Sequence, residues 1–369
     1  MTPVTADARN EFTPNPVNTG ADSRAVTDVI VVFGGESAEH DVSCVTAAHV
    51  LRALDRTKYD VTLVGITRSG DWVSCPTPSS DIEKLTAVGT PTSLDAILTA
   101  TERAATVVIP LLHGPMGEDG TIQGALEMAH VAYVGSGVLA SAVSMDKSLT
   151  KAVLDAAGIA QPRWIALRHD EVVAARLEAI GNDFGWPVFV KPANMGSSVG
   201  VHKCNTANDL LAGARDALGF DEWILVEEAV RGRELEVAVL GNESPRASVV
   251  GEIVPGREFY DYEDKYHGGA AKLLIPAPLD ATTADTVRDA ALRVYRAVRA
   301  EGMARVDFFY EENGRGLLVS EVNTIPGFTP ISMYPKLWAA SGLSYPALID
   351  ELVTLALARR TRRTRRVER

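Results

Sequence analysis

The segment ARVDFFYEENGRGLLVSEVNTIPGFT, residues 304–329, sets Asp307, Glu321 and Asn323 into two apolar runs that meet at Asn313-Gly314. Strand side chains alternate between faces, so Glu321 and Asn323 point the same way. Asn-Gly between apolar runs is a strong hairpin signal. If Val306 and Phe308 share an apolar face with Leu318 and Val322, even positions oppose even ones. Asp307 then falls on the other face, nearly across from Glu321. Two carboxylates so close repel unless a cation sits between them. An all-oxygen set without His or Cys suits a hard ion, magnesium above zinc, that keeps places for water and phosphate oxygens. Spacing alone leaves a second reading open, a hydrated polar face on an ordinary hairpin.

A second candidate is VKPANMGSSVGV, residues 190–201. Lys191 ends an apolar strand, and Gly196-Ser197-Ser198 forms a turn. Backbone N–H groups and hydroxyls in such a turn can cover phosphates while the lysine supplies a point charge. A plain hairpin turn with a surface lysine has the same pattern. No G-x-x-x-x-G-K-[ST] loop occurs and no G-x-G-x-x-G follows a strand, which argues against a Walker-type NTPase and a dinucleotide enzyme.

The elements that must position these groups are legible along the chain. VTDVIVVFGGESAEHDVSCVTAAHVLRAL and ATVVIPLLHGPMGEDGTIQGALEMA each read as strand, Gly-rich loop and helix, with a further strand in YDVTLVGI. That alternation predicts a parallel sheet covered on both sides, with ligands at the carboxyl ends of its strands. MDKSLTKAVLDAAGI reads as a helix ended by Gly158. Short strands follow in WPVFVKP, VGVHKC and EWILVEEAV; strands then dominate from residue 232, with helices expected near 282–301 and 345–359. The expected division is a disordered lead-in (1–24), an α/β domain (25–135), a central domain (136–231), a third domain carrying the hairpin (232–360) and an Arg-rich tail (361–369).

Composition bounds the partners. With 369 residues, more than one core is expected. A net charge of −12 argues against nucleic acid as the main partner. No apolar run reaches the roughly 18 residues of a membrane span, and the polar, Pro-rich lead-in lacks a secretory core. Cys44, Cys75 and Cys204 form neither a disulfide framework nor zinc spacing, which fits a reducing cytoplasm. Seven of the last eleven residues are Arg, read as a solvated tail and assigned no chemistry.

Seven motifs in order, GGESAEHDVS, LLHGPMGEDGTIQG, SMDK, VKPANMGSSVG, YDYEDKY, ARVDFF and EVNTIPGFT, resemble the D-alanine–D-alanine ligase family of the ATP-grasp superfamily, from about Val29 to Leu357. The resemblance implies an α/β ATP-grasp fold of three domains, the first built on a parallel sheet. It implies ATP, magnesium or manganese, a monovalent cation such as K⁺, and a homodimer. In the family reaction one D-alanine carboxylate takes the γ-phosphate of ATP, and the amine of a second D-alanine displaces phosphate from the acyl phosphate.

By the same resemblance, Asp307, Glu321 and Asn323 match metal ligands, and Lys147 and Lys191 match lysines on the ATP phosphates, beside Ser198 of the turn. Glu227 and Glu234 match positions near adenine and on the ribose. Arg305 and the N–H of Gly327 match oxyanion donors. Glu39 matches the anion for the first ammonium, linked to Ser197 and Tyr266; read from the residues alone, it is an early-helix glutamate. His113 matches a position by the first substrate. Lys265 and Ser332 match contacts to the second carboxylate and the transferred phosphate. Residues 260–272 match a mobile loop that keeps water from the acyl phosphate. Relatives that make an ester with D-lactate commonly carry Phe where Tyr266 stands, so the dipeptide is the implied product. Glu228, where some relatives have lysine, and Met195 depart from the pattern and bear on nucleotide affinity. The alternatives are a related D-amino-acid ligase of different second-substrate specificity, for D-serine, D-lactate or antibiotic biosynthesis, or a nucleotide-binding regulator without catalysis.

Overall fold

The computed structural model describes residues 26–99, 106–256 and 272–363. Lys265, Tyr266 and residues 257–271 lie outside the described residues, as do the expected lead-in and residues 364–369. Among the described residues no helix is long and apolar enough to cross a membrane.

The first sheet is centred on β1 (Thr27–Gly34), which pairs in parallel with β2 (Tyr59–Ile66) and β5 (Thr106–Pro110). β6 (Ala132–Tyr133) extends it in parallel, whereas β3 (Trp72–Cys75) and β4 (Thr90–Pro91) add an antiparallel edge, giving the order β4-β3-β2-β1-β5-β6. Alternate residues of β1 enter different cores, Val29, Val31 and Phe33 on one side and Ile30 and Val32 on the other. A strand apolar on both faces is what a doubly covered parallel sheet requires. Because β1 lies between β2 and β5, the chain leaves β1 and β5 in opposite directions. The crevice at their carboxyl ends holds the Gly-Gly loop and the His113 loop. Gly34 has φ +90°, and a Cβ there would lie 2.2 Å from the Ile66 carbonyl oxygen, so only glycine makes this turn. Helix α1 (His40–Ala53) follows it, and α3 (Thr121–Met128) follows the second loop; α2 (Leu94–Thr99) precedes β5.

After α4 (Val138–Met145), Asp146 caps α5 (Lys147–Ala156), its carboxylate accepting the N–H groups of Ser148 and Leu149 at 2.9 and 3.0 Å. The cap fixes Lys147 in the first turn. The second sheet is antiparallel, in the order β7 (Trp164–Arg168), β10 (Trp223–Glu228), β8 (Val188–Pro192), β9 (His202–Cys204). Helices α6 (Ala174–Phe184) and α7 (Ala207–Ala217) cover it, burying Leu177, Leu210 and Ala214 against Val190 and Ile224.

The third sheet is antiparallel: β13 (Lys272–Leu274), β12 (Arg246–Val254), β11 (Arg233–Gly241), β14 (Gly302–Glu311), β15 (Gly316–Asn323). Helix α8 (Ala281–Ala297) packs on one face through Val287, Ala291 and Val294, ending short of the expected residue 301. A turn at residues 312–315 joins β14 to β15. Asp307 lies directly opposite Glu321 and Arg305 opposite Asn323. One expectation is corrected. The register slips past this pair, so that Phe308 faces Val319 and Ser320 is left over as a bulge. Val319 therefore joins Val306, Phe308 and Val322 in the core beneath α8, while Leu318 pairs with Phe309 instead.

The chain ends in α9 (Met333–Ala340) and α10 (Tyr345–Arg362). The Arg-rich end is not wholly a solvated tail. Arg359 is 3 % exposed, donates to the carbonyls of Tyr133 (2.8 Å) and Gly135, and lies 4.1 Å from the centroid of the Tyr133 ring. Arg362 and Arg363 both pair with Glu301, latching the last helix to the start of β14. A buried guanidinium is tolerated here because it satisfies carbonyls left unpaired where the first sheet ends.

Candidate active site

The hairpin places Asp307 and Glu321 side by side, and protein cations answer them. Arg305 grips Asp307 bidentately, Nε to Oδ1 at 2.7 Å and Nη2 to Oδ2 at 2.7 Å, and its Nε lies 3.0 Å from Glu236. Burial alone would depress the Arg305 pKa, but Asp307 and Glu236 override it and hold it well above its ordinary value. Asn323 donates to Asp307 at 3.0 Å, and the Lys147 ammonium stands 3.6 Å from Glu321. Lys147 also donates to the Met195 carbonyl, tying the Gly/Ser turn to the hairpin.

The donor set suits a hard divalent ion. It offers two carboxylates and one amide, all oxygen, on adjacent strands. Among the described residues no group of three or more His, Cys, Asp or Glu side chains could hold a metal, and the third donor of the hairpin set is an amide. Rotation of the Asn323 amide would exchange its donor for an oxygen.

A second charged cluster lies behind the Gly/Ser turn. Lys191, at the end of β8, pairs with one oxygen of Glu227, and Lys151 approaches the other at 2.6 Å. Burial would raise the Glu227 pKa; the two lysines reverse this and hold it at about 2. Ser197 and Ser198 have φ +49° and +59°, a left-handed turn that non-glycine residues rarely adopt. There the Ser197 hydroxyl donates to Glu39, which reaches across from the N-terminus of α1. Gly196 leaves room for this contact, since a Cβ would lie 2.8 Å from Glu39 Oε2.

His113 is 5 % exposed and its Nε2 has no hydrogen-bond partner. Burial lowers its pKa, against the pull of Glu39. Glu118 accepts the Gly114 N–H at 2.8 Å. Burial, reinforced by Glu39, pushes its carboxyl up to about 8. Ser332 is fixed by Thr329, with 2.8 Å between the hydroxyls, and its Oγ lies 3.0 Å from where a Cβ on Gly327 would stand. Glu228 also lines the cavity, paired with Arg315 and accepting the Arg163 N–H at 2.8 Å.

Most of these groups, though not Lys151, line one cavity of about 1410 Å³. Its wall takes Glu39 and His113 from the first sheet. Lys147 comes from the start of α5, and Lys191, Ser197, Ser198 and Glu227 come from the second sheet and the turn after β8. Glu234, Arg305, Asp307, Glu321, Asn323, Gly327 and Ser332 come from the third sheet and the loop after it. Three residues near the site escaped the sequence reading. Lys151 stands one helical turn after Lys147 in DKSLTK, on the same face, and that spacing was the available signal. Glu118 had only its place in a Gly-rich loop. Glu236 had its place two residues after Glu234 on an apolar strand.

Two family patterns cover most of the chain, "D-ala D-ala ligase N-terminus" at residues 28–136 and "D-ala D-ala ligase C-terminus" at residues 153–354. This chain belongs to the D-alanine–D-alanine ligase family. Among relatives, the D-alanine–D-alanine ligase of Clostridium acetobutylicum is 47 % identical over 339 residues, covering 90 % of this chain and 98 % of the relative. That of Geobacillus kaustophilus is 45 % identical over 353 residues, covering 90 % and 95 %. The solved D-alanine–D-alanine ligase of Coxiella burnetii superposes with a TM-score of 0.78 at 34 % identity, covering 91 % of this chain and 95 % of that one. A D-Ala:D-Ser ligase of Enterococcus faecalis gives 0.75 at 32 % identity, covering 90 % and 100 %. The fold is therefore ATP-grasp, and the family is ATP-dependent and uses a divalent metal.

Proposed function

We propose that this chain joins two D-alanines into D-alanyl-D-alanine in the cytoplasm, forming ADP and phosphate through a D-alanyl phosphate, and so supplies peptidoglycan precursor synthesis. The observation that carries this reading is one cavity in which a buried anion, two lysines and a hard-ion donor set meet.

Each demand of the chemistry has a residue to meet it. Phosphoryl transfer needs positioning and charge neutralisation more than covalent help. Lys147 and Lys191 would hold the phosphates of ATP, with Ser198 and the N–H groups of its turn above them. Glu227 would face adenine and Glu234 the ribose. Asp307, Glu321 and Asn323 would hold magnesium, with manganese as a substitute, which supplies charge neutralisation at the phosphates. Glu39, steadied by Ser197 and Tyr266, would bind the ammonium of the first D-alanine, with His113 beside it. Its carboxylate oxygen attacks the γ-phosphorus and the bond to ADP breaks. The amine of the second D-alanine, placed by Ser332 and Lys265, then attacks the acyl carbon. Arg305 and the Gly327 N–H would stabilise the tetrahedral oxyanion before phosphate leaves.

Segments 25–135, 136–231 and 232–360 are read as the three domains, each containing one sheet. A homodimer and assistance from K⁺ are carried by the family likeness. A second reading, ligation of D-alanine to D-serine, is favoured by the likeness to the Enterococcus faecalis enzyme. Mass spectrometry of the products from ATP, magnesium and a mixture of D-alanine, D-serine and D-lactate separates the two. D-alanyl-D-alanine is expected as the main product, with no turnover on L-alanine. A dominant D-alanyl-D-serine would favour the second reading, and turnover indifferent to chirality would remove both.

A further inference from the structure

We infer that Lys151 is a positioning residue for nucleotide binding: it is the standing counter-ion of Glu227, which frees Lys191 to leave that carboxylate for the phosphates. The structure distinguishes the two lysines. Lys191 lines the cavity and its side chain is 15 % exposed, whereas Lys151 does not line it and is 3 % exposed. Each lysine holds a different oxygen of the same carboxylate, so one can depart without disturbing the other. The backbone of Lys151 is also firmly held. It sits inside α5, whose first turn is capped by Asp146, and its carbonyl accepts the Gln161 side chain at 2.8 Å.

The energetics give this arrangement its purpose. A buried carboxylate deprived of its last cation is strongly disfavoured. With Lys191 as sole partner, ATP could recruit that lysine only by stranding Glu227. With Lys151 in place, the departure of Lys191 leaves a neutral buried pair. The charges facing Lys151 are Glu227, Lys191 and Asp155, and Asp155 lies on its own helix. The role assumes that ATP draws Lys191 to its phosphates, as proposed above.

The test is calorimetric binding of a non-hydrolysable ATP analogue with magnesium, together with steady-state kinetics, on full-length variants. Lys151→Met is expected to weaken nucleotide binding and raise KM for ATP at least about tenfold, while kcat falls less than threefold. Lys151→Arg, which keeps the charge, is expected to bind within about threefold of wild type. In the Glu227→Gln background, where no carboxylate is left to strand, Lys151→Met should cost nothing further in nucleotide binding and should recover stability by removing one of two facing lysines, the non-additivity expected when the groups act on each other. A purely structural lysine would instead lower kcat and thermal stability together and cost the same in both backgrounds, which would overturn the inference. If Lys151→Met fails to fold, weak nucleotide binding by Lys151→Arg would overturn it equally. Lys191→Met keeps the two readings apart. Weak nucleotide binding by Lys191→Met beside normal binding by Lys151→Met would refute only the role of Lys151; unchanged binding in Lys191→Met would remove the nucleotide reading as well.

Discussion

The two charged ends of the cavity are balanced in opposite ways. Around Glu227, two lysines share one buried carboxylate, so the local excess is positive. Around the hairpin, Asp307, Glu321 and Glu236 meet Arg305 and Lys147, and Glu39 stands close enough to raise the proton affinity of Glu118. There the excess is negative, and the Glu321 side chain is 36 % exposed against 10 % for Glu227. An end rich in lysine suits phosphates, and an end rich in carboxyl groups suits a divalent ion and an ammonium. The difference teaches that the cavity is polarised before any ligand arrives.

The largest effect is expected where the polarity meets the chemistry. Glu321→Gln removes a carboxylate from the oxygen set without altering its shape, so turnover should drop about a thousandfold or more. Its melting temperature should stay within a few degrees of wild type, because the group is partly exposed and the substitution isosteric. A wild-type rate in magnesium would take Glu321 out of the metal site.

Breaking the other end should act on stability as well as on the nucleotide. Glu227→Gln leaves Lys151 and Lys191 facing each other in a buried site, and loss of one partner from such a cluster costs about 3–5 kcal/mol. Chemical denaturation should therefore show a clear loss of stability, which addition of ATP and magnesium only partly restores. Unchanged denaturation midpoints would mean that the lysines are solvated and that the cluster is not a buried one.

The smallest effect sharpens the contrast through pH. Glu227 has its folded pKa held at about 2, below its unfolded value, so its contribution is present above that unfolded value and is lost as pH falls toward 2. Glu118 is raised to about 8 and behaves in the opposite sense. The folded state binds its proton more tightly than the unfolded state, so stability declines as pH rises from the unfolded value through 8. Ligand-free protein should lose thermal stability across that window, and Glu118→Gln should flatten the decline. Equal slopes in the two proteins would place the titrating group elsewhere.

Much of this was legible in the chain because periodicity reports it directly. The period of two in ARVDFF and LLVSEVN, with Asn-Gly between them, was enough to bring Asp307 opposite Glu321. The bulge at Ser320 was not, since an extra residue in a ladder leaves the apolar run looking continuous. Strand β7 and helices α6 and α7 were missed, their patterns being short or half exposed. Lys151 was hidden for a different reason. Its partner Glu227 lies on a distant strand, and a helical lysine carries no mark of being buried until the tertiary fold supplies that carboxylate. Arg359 is the converse case, a residue of a run that reads as solvated, drawn inside by carbonyls at the end of β6.

The central claim is that the acid-rich end of the cavity binds the divalent ion and the lysine-rich end does not. Titration of Mn²⁺ against nucleotide-loaded enzyme, followed by electron paramagnetic resonance, tests it most directly. Wild type and Lys151→Arg should both bind the ion tightly, and Glu321→Gln should release most of it at the same free Mn²⁺. Undiminished Mn²⁺ binding in Glu321→Gln would contradict the account.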